Sequence, residues 1–503
     1  MKKTFFSRLL AMLLLVVMVL SVFAACGKEE DPDDDLGGLS EDEKQAVQDA
    51  KKTAEEEDPQ IEAIDYDGYE FTFICQPYKE DNAYTTKYMV SDQISGDLIL
   101  DAVYRRNSML GEKYNITFYQ ANSTDLITDV RKQVMAGQTE FDVIVASCGR
   151  LATLAREGLL LDLLSVDRFD MTKSYWDKNA AEQLKIGDKL YFTNCDFNTQ
   201  EIGFVVYFNK QLIEDYDLTS PYEYIENNEW TLDNWAKLVK SVSKDYDGDG
   251  KMTELDQYGT LAENHNPRMF LYGCGVRATT NTAEGYPEFT LFKDKQKTTT
   301  AYDKLKAVFS DSQIAWNIND MPSDDTHGYP DKWDYARSLF CQDLYLFHYE
   351  GTNIIHQFAD MESEFGIVPF PKYDANQKEF YSLYPYNCAM VAIPSTKTGV
   401  ALEMTANIFE DLNYTSSYML KPQWYEVLLK RRSTRDEESE QYLEVIKTHR
   451  VYDIGLYFDF GGLRSSILDV DCRGNNINTA LARYSKGIEA DIAKTYRDFG
   501  IEK

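Results

Sequence analysis

The sequence is poor in the residues most chemistry relies on. It has eight cysteines and five histidines in 503 residues. No two cysteines stand as C-x-x-C and no H-E-x-x-H occurs, so neither a zinc ribbon, a dithiol redox motif nor a zinc peptidase is encoded. G-x-S-x-G, the P-loop pattern and G-x-G-x-x-G are absent too, which removes the commonest hydrolase and nucleotide signatures. Basic residues are in deficit: 52 Lys and Arg face 84 Asp and Glu, for a formal charge of −32. Nucleic acid is excluded as a partner, because phosphate binding needs a basic footprint. Beyond the first 25 residues no apolar run is long enough to span a bilayer. The globular part has no internal repeat and no proline-rich linker.

What is present supports large cores. Hydrophobic residues make up 43% and aromatics 13%, with 35 tyrosines, so global disorder is excluded. The length corresponds to roughly two to four domain equivalents. Residues 1–25 carry Lys2, Lys3 and Arg8, then an uncharged run from Leu9 to Ala25, which reads as a secretion signal. Val22-Phe23-Ala24-Ala25-Cys26 resembles a bacterial lipobox, and that implies cleavage before Cys26 and a diacylglycerol thioether on its sulfur. Residues 26–65, with four lysines against sixteen acids, are expected to be a disordered acidic tether with at most a short helix at Glu41–Ala54. The seven other cysteines, Cys75, Cys148, Cys195, Cys274, Cys341, Cys388 and Cys472, are an odd number in largely apolar contexts, and are expected to be buried free thiols.

Strands are expected at Tyr69–Ile74, Ile116–Tyr119, Phe141–Val145, Lys189–Phe192, Phe204–Phe208, Leu344–His348, Gly366–Val368 and Met390–Ile393. Helical spacing covers Leu98–Tyr114, Asp125–Ala136, Leu151–Glu157, Ala180–Lys185, Gln211–Tyr216, Thr300–Ser310, Asp331–Phe340 and most of the tail from Gly399. The early alternation of strand and helix predicts an α/β fold with mostly parallel strands. Ligands then favour the loops at the carboxyl ends of strands.

One local motif is sharp. Asp245, Asp247 and Asp249 hold positions 1, 3 and 5 of a twelve-residue loop, Gly250 holds position 6 and Asp256 position 12. This spacing suits Ca²⁺, with the Lys251 carbonyl as a further oxygen, so a structural calcium clip is expected. Position 12 is Asp where such loops usually have Glu, and the single copy argues against a paired sensor.

Taken in order, several stretches are similar to one family. They are Gly96–Asn107, Phe141–Val143 with Leu151–Asp162, Tyr175-Trp176-Asp177 before Gly187–Tyr191, Tyr207–Lys210 with Pro221-Tyr222 and Trp230–Asp233, and Phe365–Tyr373 with Ala392–Pro394. With the lipobox and the acidic tether, the chain resembles the lipoprotein solute-binding subunits of ABC importers, family 1, carbohydrate-type, in a clostridial-type branch. The resemblance implies a two-lobed class II periplasmic-binding-protein-like α/β fold with three crossings near 203–209, 345–351 and 388–394. One lobe would hold 66–203 plus 352–388, the other 209–345 plus 394–503. A small polar solute, a sugar first, would be captured between the lobes by hinge closure and passed to the permease.

Sugar sites set aromatic faces against C–H surfaces and amides or carboxylates against hydroxyls. Candidates near strand ends and crossings are Ser147, Asp196, Asn198, Tyr349, Glu350, Tyr386 and Asn387, with Trp316 and Trp333 as platforms. Trp176 and Trp230 are assigned to packing. No catalytic constellation emerges, so the protein is read as a binding protein on the outer face of the membrane, held by its lipid. A surface hydrolase, a feeder of a sensor kinase and a peptide importer subunit are the competing readings.

Overall fold

The computed structural model describes residues 41–77, 89–198, 203–322, 324, 326–358, 361–424, 437–469 and 471–501. The expected secretion signal and Cys26 lie outside the described residues. The chain divides into 1–45 and 46–503, and the second unit holds both of the large sheets.

A first sheet is built from β1 (Tyr69–Cys75), β2 (Ile116–Asn122), β3 (Val143–Ser147) and β13 (Ala389–Ala392), in the order β13-β3-β1-β2. The first three are parallel, and β13 runs antiparallel to β3. Parallel neighbours need crossover connections, and the helices Leu98–Tyr114 and Leu126–Met135 supply them. The first of these begins where Asp97 accepts from the N–H groups of Ile99 and Leu100 and ends at Asn115 with φ of 48°, so both ends satisfy their exposed backbone groups. Helices on the faces bury β3 and most of β1, which explains the apolar run Val143–Ala146, while β1 still carries Glu70 and Thr72.

A second sheet is built from β4 (Phe204–Asn209), β5 (Ser243–Lys244), β6 (Gln257–Ala262), β9 (Ala315–Asn317), β10 (Tyr345–Gly351) and β11 (Phe365–Val368). Its order is β11-β4-β10-β6-β5, with β9 beside β6. β6, β9 and β10 are parallel, while β4 is antiparallel to both β10 and β11. Two small pairs complete the strands: β7 (Thr279–Asn281) with β8 (Pro287–Phe289), and β12 (Ser382–Leu383) with β14 (Arg450–Val451). All seven described cysteines are free, and all but Cys341 are buried.

Several expectations need correction. Residues 345–351 are not a crossing: β10 and then β11 both stay in the second sheet. The chain returns to the first sheet only between Val368 and β13, so 352–388 does not belong to the first lobe as a block. Helix Gly399–Met419, expected in the second lobe, packs on the first-sheet helix Leu98–Tyr114. Lys113 and Tyr114 both reach Asp411, at 2.6 and 2.8 Å, and Arg106 reaches Ser416 at 3.1 Å. Lys189–Phe192 is not a strand: Lys189 makes one isolated bridge, to Ile186, and the next three residues make none. The stretch at 46–65 is ordered, because Val47 and Ile61 bury their side chains and Glu57 accepts from the Ser174 N–H at 2.6 Å. Two well-placed apolar anchors outweigh the charge density that sequence composition emphasises.

Candidate binding cleft

Strands β6 and β10 end side by side at their carboxyl ends, and β4 begins at the same edge. That edge is where ligands bind in open α/β sheets. A cavity of about 150 Å³ opens there. Phe204 at the start of β4, Glu263 to Met269 after β6, and His348 to Glu350 of β10 form one wall. Helix Lys332–Cys341 adds Trp333, Ala336 and Arg337; Asp331 starts it by accepting from the N–H groups of Trp333 and Asp334. Tyr386 and Asn387, in the turn that leads into β13 of the first sheet, close the other side. Residues from both sheets therefore meet at one cavity.

Its charged groups are mostly committed to one another. Arg337 donates to both oxygens of Glu350, to Asp334 at 2.6 Å and to Gln357 at 3.2 Å. His348 Nε2 sits 3.0 Å from Glu350 Oε2. Burial pushes the Glu350 carboxyl up, but the Arg337 guanidinium and the His348 hydrogen bond outweigh it and hold it at about 2. Arg268 pairs with Asp469. Two guanidiniums lie near the Tyr386 ring, Arg464 4.0 Å and Arg268 5.4 Å from its centroid. Burial lowers the His265 ring, yet Glu263, 3.4 Å away, leaves it raised overall.

Three cavity-lining residues keep a buried polar atom without a protein partner among the described residues: Arg268 Nε, His348 Nδ1 and Asn387 Oδ1. Such atoms are costly to leave unmatched. Arg268 Nε can only donate and Asn387 Oδ1 can only accept. His348 Nδ1 donates or accepts according to the tautomer of the ring. The cavity thus asks for a partner that both donates and accepts.

Of the residues nominated from sequence, Trp333, Tyr349, Glu350, Tyr386 and Asn387 are brought together here. Tyr349 contributes ring surface only, since its hydroxyl already accepts from Trp235 at 2.9 Å and Thr260 at 2.8 Å. The other four lie elsewhere. Trp316 on β9 is half-buried against Tyr345, 6.1 Å between ring centroids. Ser147 accepts from Arg150 at 3.0 Å. Asp196 pairs with Lys421 at 2.7 Å and Asn198 donates to the Ala389 carbonyl; both border a separate cavity of about 410 Å³. Glu263, His265, Arg268 and Arg337 escape sequence reasoning. The missing signal is β6: its pattern, Gln-Tyr-Gly-Thr-Leu-Ala, does not read as a strand, so nothing marks the loop after it.

In the Asp-rich loop, carboxylate oxygens of Asp245, Asp247 and Asp249 lie within 4.8 Å of one another. Asp245 accepts from the Gly248 and Gly250 N–H groups, Asp247 from Asp249 and Asp249 from Lys251. Gly250 has φ of 81°, a conformation glycine adopts without strain. Three converging hard oxygens fit Ca²⁺. Asp256 instead closes the loop, its oxygens accepting from the backbone of Tyr246 at 2.9 Å and Thr253 at 2.7 Å.

The model for bacterial extracellular solute-binding proteins matches residues 109–337. Among solved structures, a cyclo/maltodextrin-binding protein complexed with maltotetraose is similar over 84% of this chain and 97% of its own, at 12% identity and TM-score 0.55. The maltose-binding periplasmic protein MalE of Listeria monocytogenes, in complex with maltose, is similar over 86% and 99%, at 13% and 0.53. The galacto-N-biose/lacto-N-biose I-binding protein of the Bifidobacterium longum ABC transporter, with lacto-N-biose, is similar over 87% and 99%, at 13% and 0.52. No curated protein sequence matches the chain. The fold is that of two-lobed, periplasmic-binding-protein-like solute binders.

Proposed function

We propose that this two-lobed chain is the extracytoplasmic substrate-binding subunit of an ABC importer, and that it takes a neutral, polyhydroxylated solute, a carbohydrate, into the cleft. One observation carries the reading. Unmatched donors and acceptors line the same cavity, at Arg268 Nε, His348 Nδ1 and Asn387 Oδ1. A hydroxyl both donates and accepts, so a polyol satisfies all three, whereas an anion without a hydroxyl leaves Asn387 Oδ1 unmatched. Trp333 supplies an aromatic face of the kind that sugar C–H surfaces need. The sugars bound by the structurally similar proteins point the same way. Glu350 is held ionised by Arg337 and His348, which suits it to positioning rather than to proton donation.

Cys26 would carry the lipid that holds the protein at the membrane, and the acidic segment after it would set the lobes off the surface. No helix among the described residues is long and apolar enough to cross a membrane. The cleft reading is tested with Trp333→Ala and Asn387→Ala. Each is expected to weaken binding of an oligosaccharide at least about tenfold, the cost of about 1.4 kcal/mol for a lost stack or hydrogen bond. Unchanged affinity in both variants would remove the cleft as the site.

The Asp245–Asp256 loop would hold Ca²⁺ through Asp245, Asp247 and Asp249, with the Lys251 carbonyl as a further oxygen. Calcium at 100 times its dissociation constant would stabilise by about 2.7 kcal/mol. Chelator is therefore expected to lower the melting midpoint by a few degrees, and Asp247→Asn to abolish that difference. A midpoint indifferent to chelator in the unmodified protein would count against the clip.

A further inference from the structure

A second cavity, of about 340 Å³, lies between helix Lys178–Gln183, β7 and β14, and shares no lining residue with the cleft. Arg277 lines it. This guanidinium is held by backbone carbonyls and an aromatic ring, with no carboxylate bonded to it. Nη1 donates to the backbone carbonyls of Tyr272 at 3.2 Å and Val276 at 3.0 Å. Its plane lies 4.4 Å from the Tyr381 ring centroid. No carboxylate among the described residues pairs with it, although its neighbours in the cavity have partners: Arg450 with Asp177 and His449 with Glu379. The acid behind it, Asp453, is spent on Tyr272 Oη, the N–H groups of Ala278, Thr279 and Gly455, and Thr279 Oγ1. Burial pulls the Arg277 guanidinium below its ordinary range. Asp453 favours the guanidinium's charge from a distance but forms no ion pair with it, so a half-buried guanidinium with an unpaired edge remains to receive an anion.

We propose that this cavity binds a small hydroxycarboxylate, with the carboxylate on the free edge of Arg277 and a hydroxyl on Asn281. Among the described residues Arg277 Nε and Nη2 have no protein acceptor, and one planar guanidinium edge matches one carboxylate. Asn281 Nδ2 donates to the Gln183 and Lys185 carbonyls, while its buried Oδ1 has no partner among the described residues. That oxygen accepts from a hydroxyl and repels a second carboxylate. Glu182 on the rim adds to the exclusion of dianions, so a monoanion is selected over phosphate or sulfate. The ligand class differs from that of the cleft, which calls for a neutral polyol.

The probe is D-glucuronate, titrated calorimetrically at constant ionic strength, with D-glucose and inorganic sulfate as separate arms. Glucuronate is expected to bind one-to-one to the unmodified protein and equally to Trp333→Ala, whose cleft is impaired. Arg277→Gln is expected to lose at least tenfold in affinity, and Arg277→Lys, which keeps charge without the planar fork, to fall between. Neither glucose nor sulfate should compete. Glucuronate should also shield Arg277 from phenylglyoxal in the unmodified protein, read by mass spectrometry, which is independent of how the variants fold. The proposal is overturned by sulfate competing as well as glucuronate, by Arg277→Gln binding undiminished, or by no saturable binding up to ~10 mM, a level that would reveal even a millimolar site. Loss of binding in Trp333→Ala alone would return the ligand to the cleft.

Discussion

Arg337→Leu is expected to destabilise the protein by about 3–5 kcal/mol, the range for stranding one partner of a buried ion pair. Arg337 is buried, and it holds both oxygens of Glu350 and one of Asp334. Leucine keeps much of the volume and removes every one of those donors. Burial would then push the Glu350 carboxyl up from about 2, because Arg337 is the largest of the influences that hold it down. The double variant Arg337→Leu, Glu350→Leu should recover a substantial part of the loss, since removing both charges of a buried pair costs far less than removing one. Denaturant titration of the two variants decides the matter. A single variant within about 1 kcal/mol of the parent would mean that water, not Arg337, compensates Glu350.

The second large effect is a dependence on pH. Glu410 is buried on helix Gly399–Met419, where it accepts from Tyr175 Oη at 2.8 Å, Trp176 Nε1 at 3.1 Å and the Asp170 N–H at 3.3 Å. Burial outweighs these donors and raises its carboxyl from 4.5 to about 7. The folded state therefore binds a proton more tightly than the unfolded chain. Its contribution is fully present below pH 4.5 and is lost as pH rises through about 7, amounting to roughly 3 kcal/mol across that window. Glu410→Gln cannot ionise, so its stability should change less between about pH 5 and pH 8. Near pH 5 it should be the weaker protein by about 1 kcal/mol, because its amide offers one acceptor where two are used. At about pH 8 the order should narrow or reverse. Equal pH slopes in parent and variant would show that other groups govern the transition.

Much of this architecture is legible in the sequence, and the failures have physical causes. β3 and β4 announce themselves by the apolar runs that sheets covered on both faces demand, β1 by alternation around Phe71 and Phe73, and β10 by Tyr345–Phe347. β6 is equally buried, but it begins with Gln and carries a central Gly and Thr, so periodicity passes over it. The cleft residues that follow it are hidden with it. Which sheet a strand joins is decided by pairing over more than a hundred residues, as with β11 on β4, and no local pattern encodes that. Tyr386 and Asn387 are legible because the turn before β13 is expected to lie between the lobes. Asp196 and Glu350 read in the sequence as free polar groups. In the structure each has a cationic partner, Lys421 and Arg337, because a buried carboxylate seldom stays unpaired.

The most direct test of the central claim is calorimetric titration of the protein with a panel of neutral oligosaccharides, followed by chromatography of the recovered sugar. The account predicts saturable one-to-one binding of at least one of them, a higher melting midpoint when it is bound, and recovery of the sugar intact. Absence of binding across the panel, or release of shorter sugars, would contradict it.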